Sequence, residues 1–565
     1  MCLSIGNSLG IMVRKLQNHD LRCRKPLTFM MVAVAFALTF YLLCEVRAVN
    51  YYVAKDGDDT NPGTQSRPWK TISKANMILK PGDTVYLQAG TYRESLQPHR
   101  SGRQGKYIAY KRYRDEEVII TAVHDGADLS NRSYIILDGL RILNVRHWWV
   151  NMQPNSTHNV IQNCHMEETG GWGGLYITTK SDYNRILKNT FIGKTGPGDL
   201  IWLVDSSYNL IEGNEFHYGT HQCVDIQSRK GKARKNIVRK NLIRNPWHTG
   251  LAPYPNADWT LVEGNIIVDC GKDHKENKYG SERDRNMARR DHKGIQLGSQ
   301  WCIIRNNVLV NNGSMSVNVY GYKKGLNNRI YHNVFYENEI GLYTNTQDSI
   351  YGNIYRNNIF YQNREYEISI NIGGQRKDNY FVSNNISGAP LRYLSKTTNL
   401  SQLHSEYPKQ FINNLSLEPY FVNADKRNFR LRPSSPLIDK GSFLTRTVAS
   451  GDGKKIIVED AHYFMDGWGI IEGDLIQLEG QTARRKITNV DYDNNTLSID
   501  RPLTWEKGQG VNLAYHSVAP DIGAYEFGDE RLVIGPTWKA YPKRDFSELE
   551  IIPNNRSEHI GALIE

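Results

Sequence analysis

From Tyr51 to about Tyr380, apolar residues come in short runs alternating with polar ones, as in YIILDGLRIL, NIIVD and GIQLG. Alternation with period two predicts strands, here three to five residues each. Only Trp69–Leu79 carries a helical stripe. The runs close on asparagines that recur: Asn163, Asn189, Asn214, Asn241, Asn265, Asn307, Asn333, Asn358 and Asn385, at intervals of 26, 25, 27, 24, 42, 26, 25 and 27 residues. A fixed period of this size means stacked repeats. Three short strands and three turns fill about 25 residues, which predicts an all-β chain wound as a right-handed parallel β-helix, with rungs about 4.8 Å apart. The same side chain then stacks on itself in successive rungs. Asparagine suits a turn there, because it tolerates left-handed backbone angles and hydrogen-bonds above and below. The nine asparagines are therefore expected to be scaffold, running down one edge of a helix that extends from Tyr51 to about Lys440. The interval of 42 puts roughly 17 extra residues on one rung, where a function is expected to sit.

Composition adds a soluble, glycine- and tyrosine-rich character (47 Gly, 33 Tyr, mean hydropathy −0.56) and a formal charge of +11. Six Lys/Arg and two Asp/Glu fall within residues 1–48, leaving +7 on the rest. That mildly basic balance fits a polyanionic substrate, and nothing in it suggests a nucleic-acid partner. Arg22, Arg24 and Lys25 precede an apolar stretch, Leu27–Cys44, and Val46-Arg47-Ala48 fits a small-residue cleavage site. Residues 1–48 are expected to be a signal peptide or an uncleaved signal anchor, which places the rest outside the cytoplasm as a secreted, periplasmic or cell-surface protein. The membrane enters only through that segment, and a monomer is expected. Cys164, Cys223, Cys270 and Cys302 lie beyond the leader. Cys270 and Cys302 flank the long interval and invite a disulfide; four buried small residues is the alternative reading.

Three pieces after the leader, YYVAKDGDDTNPGT, PWKTISKA and PGDTVYLQAGTYRE, resemble the opening of secreted pectate-lyase-like β-helix proteins. In that family the stretch is an N-terminal cap with a short helix over the first coil. Such a cap hides apolar core and strand edges. Asp56, Asp58 and Asp59 are expected to serve a turn there, with calcium ligation as the alternative. The resemblance continues in PYFVNADKRNFRLRPSSPLIDKG and APDIGAYEF, a closing pattern split by residues 442–518. The insert reads as a small β-module with a hairpin at Asp493-Asn494-Asn495, separable from the helix. The expected organisation is leader 1–48, capped helix 49–441, module 442–518, and closing segment with tail 519–565. The fold hosts lyases, hydrolases, epimerases and adhesins alike, so the resemblance implies a carbohydrate-related role without fixing one.

Candidate chemistry is clustered. His221, His248 and His292 each stand three residues before the inward apolar residue of HQCVDI, HTGLAP and HKGIQL, so stacking puts them in one column. Gly198 and Ser314 hold the flanking positions. Lys272–Lys293, with eight Lys/Arg and five Asp/Glu, forms the long insertion and ends in Arg289-Arg290-Asp291-His292-Lys293. Trp202, Asp225, Gln296 and Asn318, then Tyr254 and Tyr320, fall on the outward face. Aromatics among amides and a carboxylate suit sugar rings. Removing the proton α to a uronate carboxylate needs a cation, a base and an acid. The expected roles are His248 as base with His221 and His292 beside it, Tyr254 as proton donor, and Arg289, Arg290 and Lys293 on the carboxylate. The function expected is β-elimination of a uronate-containing, acidic extracellular polysaccharide. Asn245-Pro246-Trp247-His248 resembles the Asp-Pro-His-Asp motif of alginate epimerases only loosely, since the flanking aspartates are replaced. No metal or cofactor is expected; calcium would need an aspartate cluster that the sequence does not display. Two alternatives stay open: a glycoside hydrolase with a carboxylate pair drawn from Asp225, Asp199, Asp291, Glu282 and Glu168, and a non-catalytic carbohydrate-binding surface protein.

Overall fold

The computed structural model describes residues 48–529 apart from 123, 170–173, 194–197, 231, 272–291, 321–324, 345–349 and 372–377, together with 534–536. The leader, the long insertion with Arg289 and Arg290, and the carboxylates Asp291 and Glu282 lie outside these residues. The alternating runs do form strands, and the strands stack into a parallel β-solenoid of coils of about 25 residues. Three sheets run its length. The first has 14 strands from Asn50–Val53 to Phe411–Ile412, and the second has 12 from Gly90–Tyr92 to Asn385–Ser387. The third has 12, beginning at Ala127–Asp128, and all pair in parallel except the last two, Leu391–Tyr393 and Lys396–Thr398. Coil pairing therefore ends near Leu415, not Lys440; an antiparallel hairpin, Phe421–Asn423 with Asn428–Leu431, follows. The helix Ile72–Ile78, N-capped by Thr71, covers the first coil's core through Ile72 and Ala75. Asp58 and Asp59 spend their carboxylates on Thr60, Lys70 and Thr71 in that cap, which is the turn role.

The asparagines do stack, with a shift at both ends. From Asn189 through Asn214, Asn241, Asn265, Asn307, Asn333 and Asn358, each backbone N–H donates to the Oδ1 of the next at 2.8–3.0 Å. The ladder then continues through Asn384 and Asn414, and its upper end is Cys164, whose N–H donates to Asn189. Asn163 and Asn385 are one residue off: Asn163 is an exposed left-handed turn residue and Asn385 opens a strand. Two further ladders line other corners. Asn159, Asn184, Asn209 and Asn236 form one, resumed by Cys302, Asn328, Asn353 and Asn379. Cys270, Asn312, Asn338 and Asn363 form the other. Three of the four cysteines thus head or patch a ladder as small buried residues. All four are free thiols, so Cys270 and Cys302 do not staple the insertion.

The C-terminal third covers two of the three faces. Strands between Thr445 and Leu513 make a six-stranded antiparallel sheet, including the expected hairpin, where Asp491 pairs with Thr496. Its core is shared with the first sheet: Leu210, Ile237, Leu261, Ile303 and Tyr331 pack with Tyr463, Ile476 and Leu497. Arg305 is buried across this contact, bridging Asp474 at 2.6 and 2.8 Å and Glu263 at 2.7 Å. The closing segment packs on the second sheet, Phe429, Leu437 and Ile522 against Val308, Val334 and Ile359. The two halves of the closing pattern meet there, Gly441 N–H donating to Pro520 at 2.8 Å. Among the described residues, neither the module nor the closing segment packs on the third sheet.

Candidate functional site

Register on the third sheet fixes what faces what. Tyr176 pairs with Trp202, Trp202 with Asp225, Asp225 with Ala252, and Gln296 with Asn318. The expected outward row therefore exists, and Tyr176 and Asn151 extend it upstream. One position before the strands, His221, His248 and His292 also share register, since Thr249 N–H donates to His221 O and Lys293 N–H to His248 O. The three side chains then diverge. His221 and His248 stack, rings 5.2 Å apart. His292 is 2 % exposed and its ring packs on Gly271, where an added Cβ would lie 2.1 Å from it. His292 is therefore a packing residue rather than part of the groove.

The strongest polar arrangement belongs to His221, not His248. Buried Asp199, one coil earlier, accepts from His221 Nδ1 at 2.8 Å and from Gln222 N–H at 2.9 Å. With the proton on Nδ1, the neutral ring carries its lone pair on Nε2, which is the tautomer a base needs. His221's side chain is 49 % exposed, so its ring is open to solvent. His248 contacts Thr249 Oγ1 at 2.9 Å through Nδ1. Tyr254 sits at the far end of the strand Thr249–Pro253, about 20 Å of extended backbone from His248. An acid and a base acting on one sugar carbon cannot be that far apart. Tyr254, edge-on to Tyr320 at 5.3 Å, is placed to line a neighbouring stretch of the face instead.

Between these ends lies Asp225. It is 3 % exposed, and its Oδ2 accepts from Gln227 Nε2 at 2.6 Å. Burial, with the negative charge of Asp199 added, holds its carboxyl well above the usual carboxylate range despite Gln227. Arg229 donates to Gln227 Oε1 at 3.0 Å and lies 5.0 Å over the Trp202 ring. Trp148, Tyr176 and Trp202 form a stack at 4.6 and 4.8 Å that runs up the face. Lys293 is buried and donates to Gln296 Oε1 at 3.2 Å. Several buried atoms here make no hydrogen bond among the described residues: Asp225 Oδ1, Gln222 Oε1, Asn318 Oδ1, and the indole N–H groups of Trp148 and Trp202. Buried polar atoms are normally satisfied, and these five exceptions share one face. Sequence reasoning missed Arg229, Trp148 and Tyr176. Period two from Asp225 and Gln227 points to the first; the other two lie upstream of the insertion on which attention was centred.

These features define a parallel β-helix protein with a polar, aromatic-lined face on one sheet. Residues 51–195 match the family described as the Pel9A-like right handed beta helix region. The uncharacterized protein YwoF of Bacillus subtilis (strain 168) is 26 % identical over 332 residues, covering 52 % of this chain and 69 % of that one. Among solved structures, pectate lyase Pel9A superposes with a TM-score of 0.44 at 14 % identity, covering 86 % of this chain and 97 % of its own. The GH136 lacto-N-biosidase from Eubacterium ramulus gives 0.41 at 14 % identity, covering 73 % and 74 %. The pectate-lyase-like resemblance of the chain's opening agrees with the family match over residues 51–195.

Proposed function

We propose that this chain is a carbohydrate-active enzyme that cleaves an acidic polysaccharide by β-elimination on the outward face of the third sheet. The observation that carries this reading is the Asp199–His221 dyad, an oriented imidazole beside a sugar-sized aromatic and amide surface. His221 takes the proton α to the uronate carboxylate through Nε2, while Asp199 stabilises the imidazolium that forms. Lys293 and Arg229 supply positive charge for the substrate carboxylate and the enolate that develops from it. The departing oxygen is protonated by the His221 imidazolium so formed or by solvent water. Asp225, about 13 Å of strand backbone from His221, binds a neighbouring part of the sugar chain. His221→Ala and Asp199→Asn are expected to lower turnover by about 10²–10⁴ with unchanged polymer binding. His292→Ala, at a packing position, should act on stability and not on turnover per folded molecule. Full turnover in His221→Ala would refute the assignment.

The Asp225 carboxyl, raised well above the usual carboxylate range by burial, also favours a second reading. A protonated carboxyl with Asp199 across the face is the acid–base pair of glycoside hydrolysis. In that case Asp225→Asn removes all cleavage, His221→Ala removes little, and the products carry reducing ends without unsaturation.

A further inference from the structure

The His221 column has an upstream counterpart that the groove does not use. His147 N–H donates to His124 O, and Gly126 N–H to Trp148 O, so His124 and His147 occupy one register in successive coils. Asp125 repeats the role of Asp199: its Oδ1 lies 3.0 Å from His147 Nδ1 and 3.1 Å from the Trp148 N–H that donates to it. The difference is one residue. Gly198 precedes Asp199, whereas His124 precedes Asp125 and brings a second imidazole, its Nδ1 3.2 Å from the same Oδ1. The two rings are 4.8 Å apart, and the three ligating atoms all lie within 4.8 Å of one another.

We propose that His124, Asp125 and His147 form a binding site for a divalent transition-metal ion of the zinc type. Two imidazole nitrogens and one carboxylate oxygen are the donors such ions prefer. Bond lengths of about 2.0–2.1 Å in a tetrahedron put neighbouring ligand atoms about 3.3 Å apart, close to the separations on Asp125. The carboxylate is already oriented: Asp125 is 4 % exposed and its Oδ2 accepts from Asn151 Nδ2 at 3.1 Å. An outer partner of that kind fixes a ligand's geometry and strengthens binding. A neutral imidazole that ligates through Nδ1 carries its proton on Nε2. The His124 side chain is 71 % exposed, which leaves the fourth position open to water or to a ligand oxygen.

The test is titration of the untagged, chelator-stripped protein with Zn(II) by calorimetry, with Co(II) absorption reporting geometry. One ion per chain is expected, with a tetrahedral Co(II) spectrum. His124→Ala, Asp125→Asn and His147→Ala should each weaken binding at least about tenfold. His221→Ala, which alters the single-imidazole dyad, should leave it unchanged. His124 is exposed enough that its variant folds even if Asp125→Asn does not. Absence of binding to the wild type, or equal affinity in His124→Ala, overturns the proposal, as does loss of binding in His221→Ala. The outcome is independent of whether the groove cleaves anything.

Discussion

Asn307→Ala probes the scaffold at the rung that follows the long insertion. Asn307 Oδ1 accepts from the backbone N–H and the side-chain amide of Asn265, both at 2.9 Å. Its own amide donates to Val262 O, Arg305 O and Asn333 Oδ1 at 2.9–3.0 Å. All of these groups are buried between coils. Truncation strands the Asn265 N–H at about 1–3 kcal/mol and removes further bonds worth about 1 kcal/mol each. Part is regained because Asn265's amide keeps Val238 O and Asn333 keeps the backbone N–H of residue 307. A net loss of about 3–5 kcal/mol follows. Asn163, exposed and with its side-chain amide on Asp138 at 2.8 Å, should lose about 1 kcal/mol on the same change, because alanine tolerates its left-handed backbone less well. Guanidinium unfolding followed by tryptophan fluorescence measures both, read as midpoint shifts at constant slope. Equal effects of the two substitutions would refute the ladder argument.

Asp474→Ala leaves Arg305 buried with Glu263 and the Tyr331 hydroxyl as remaining partners, and should cost about 3 kcal/mol in the same unfolding assay. Glu367 closes the third ladder, accepting from Asn363 and Ala389, and burial raises its carboxyl to about 7. Its folded value lies above its unfolded one, so its contribution is complete below about pH 4.5 and is lost as pH rises to about 7, by up to about 3 kcal/mol. Glu367→Gln should flatten that part of the stability–pH curve, and an unchanged curve would contradict the assignment. Burial pushes the Cys164 thiol up to about 12 and raises those of Cys223, Cys270 and Cys302, so none should react with a thiol reagent in the native state at neutral pH, and all four should on unfolding.

The coil period and the hairpin after Asp491 were legible from alternation and turn residues, the cap helix from a helical stripe together with the family resemblance, and the meeting of the closing halves from the family's closing pattern. The ends of the ladder were not. In FVSNN two asparagines adjoin, and only pairing shows that Asn384 and not Asn385 turns inward. At the other end Cys164 takes the ladder position, so the pattern of asparagines points to its neighbour. The other two ladders escaped because their positions are not all asparagine: Cys302 stands within one and Cys270 heads the other. For the site, register in the sequence predicts which backbones align, and His221, His248 and His292 do align. It does not predict side-chain direction, which a glycine at 271 decides for His292. Tyr254 was misplaced for a different reason: six residues are close in a turn but about 20 Å apart in an extended strand.

The central claim is chemical, and product analysis tests it most directly. The purified protein would be incubated with a panel of acidic and neutral polysaccharides, with ultraviolet absorbance and reducing ends followed together. Elimination predicts that both rise in step on an acidic polymer and that both are lost in His221→Ala. Reducing ends without new absorbance would contradict elimination in favour of the Asp225 hydrolase, and neither signal on any polymer would contradict catalysis by this face altogether.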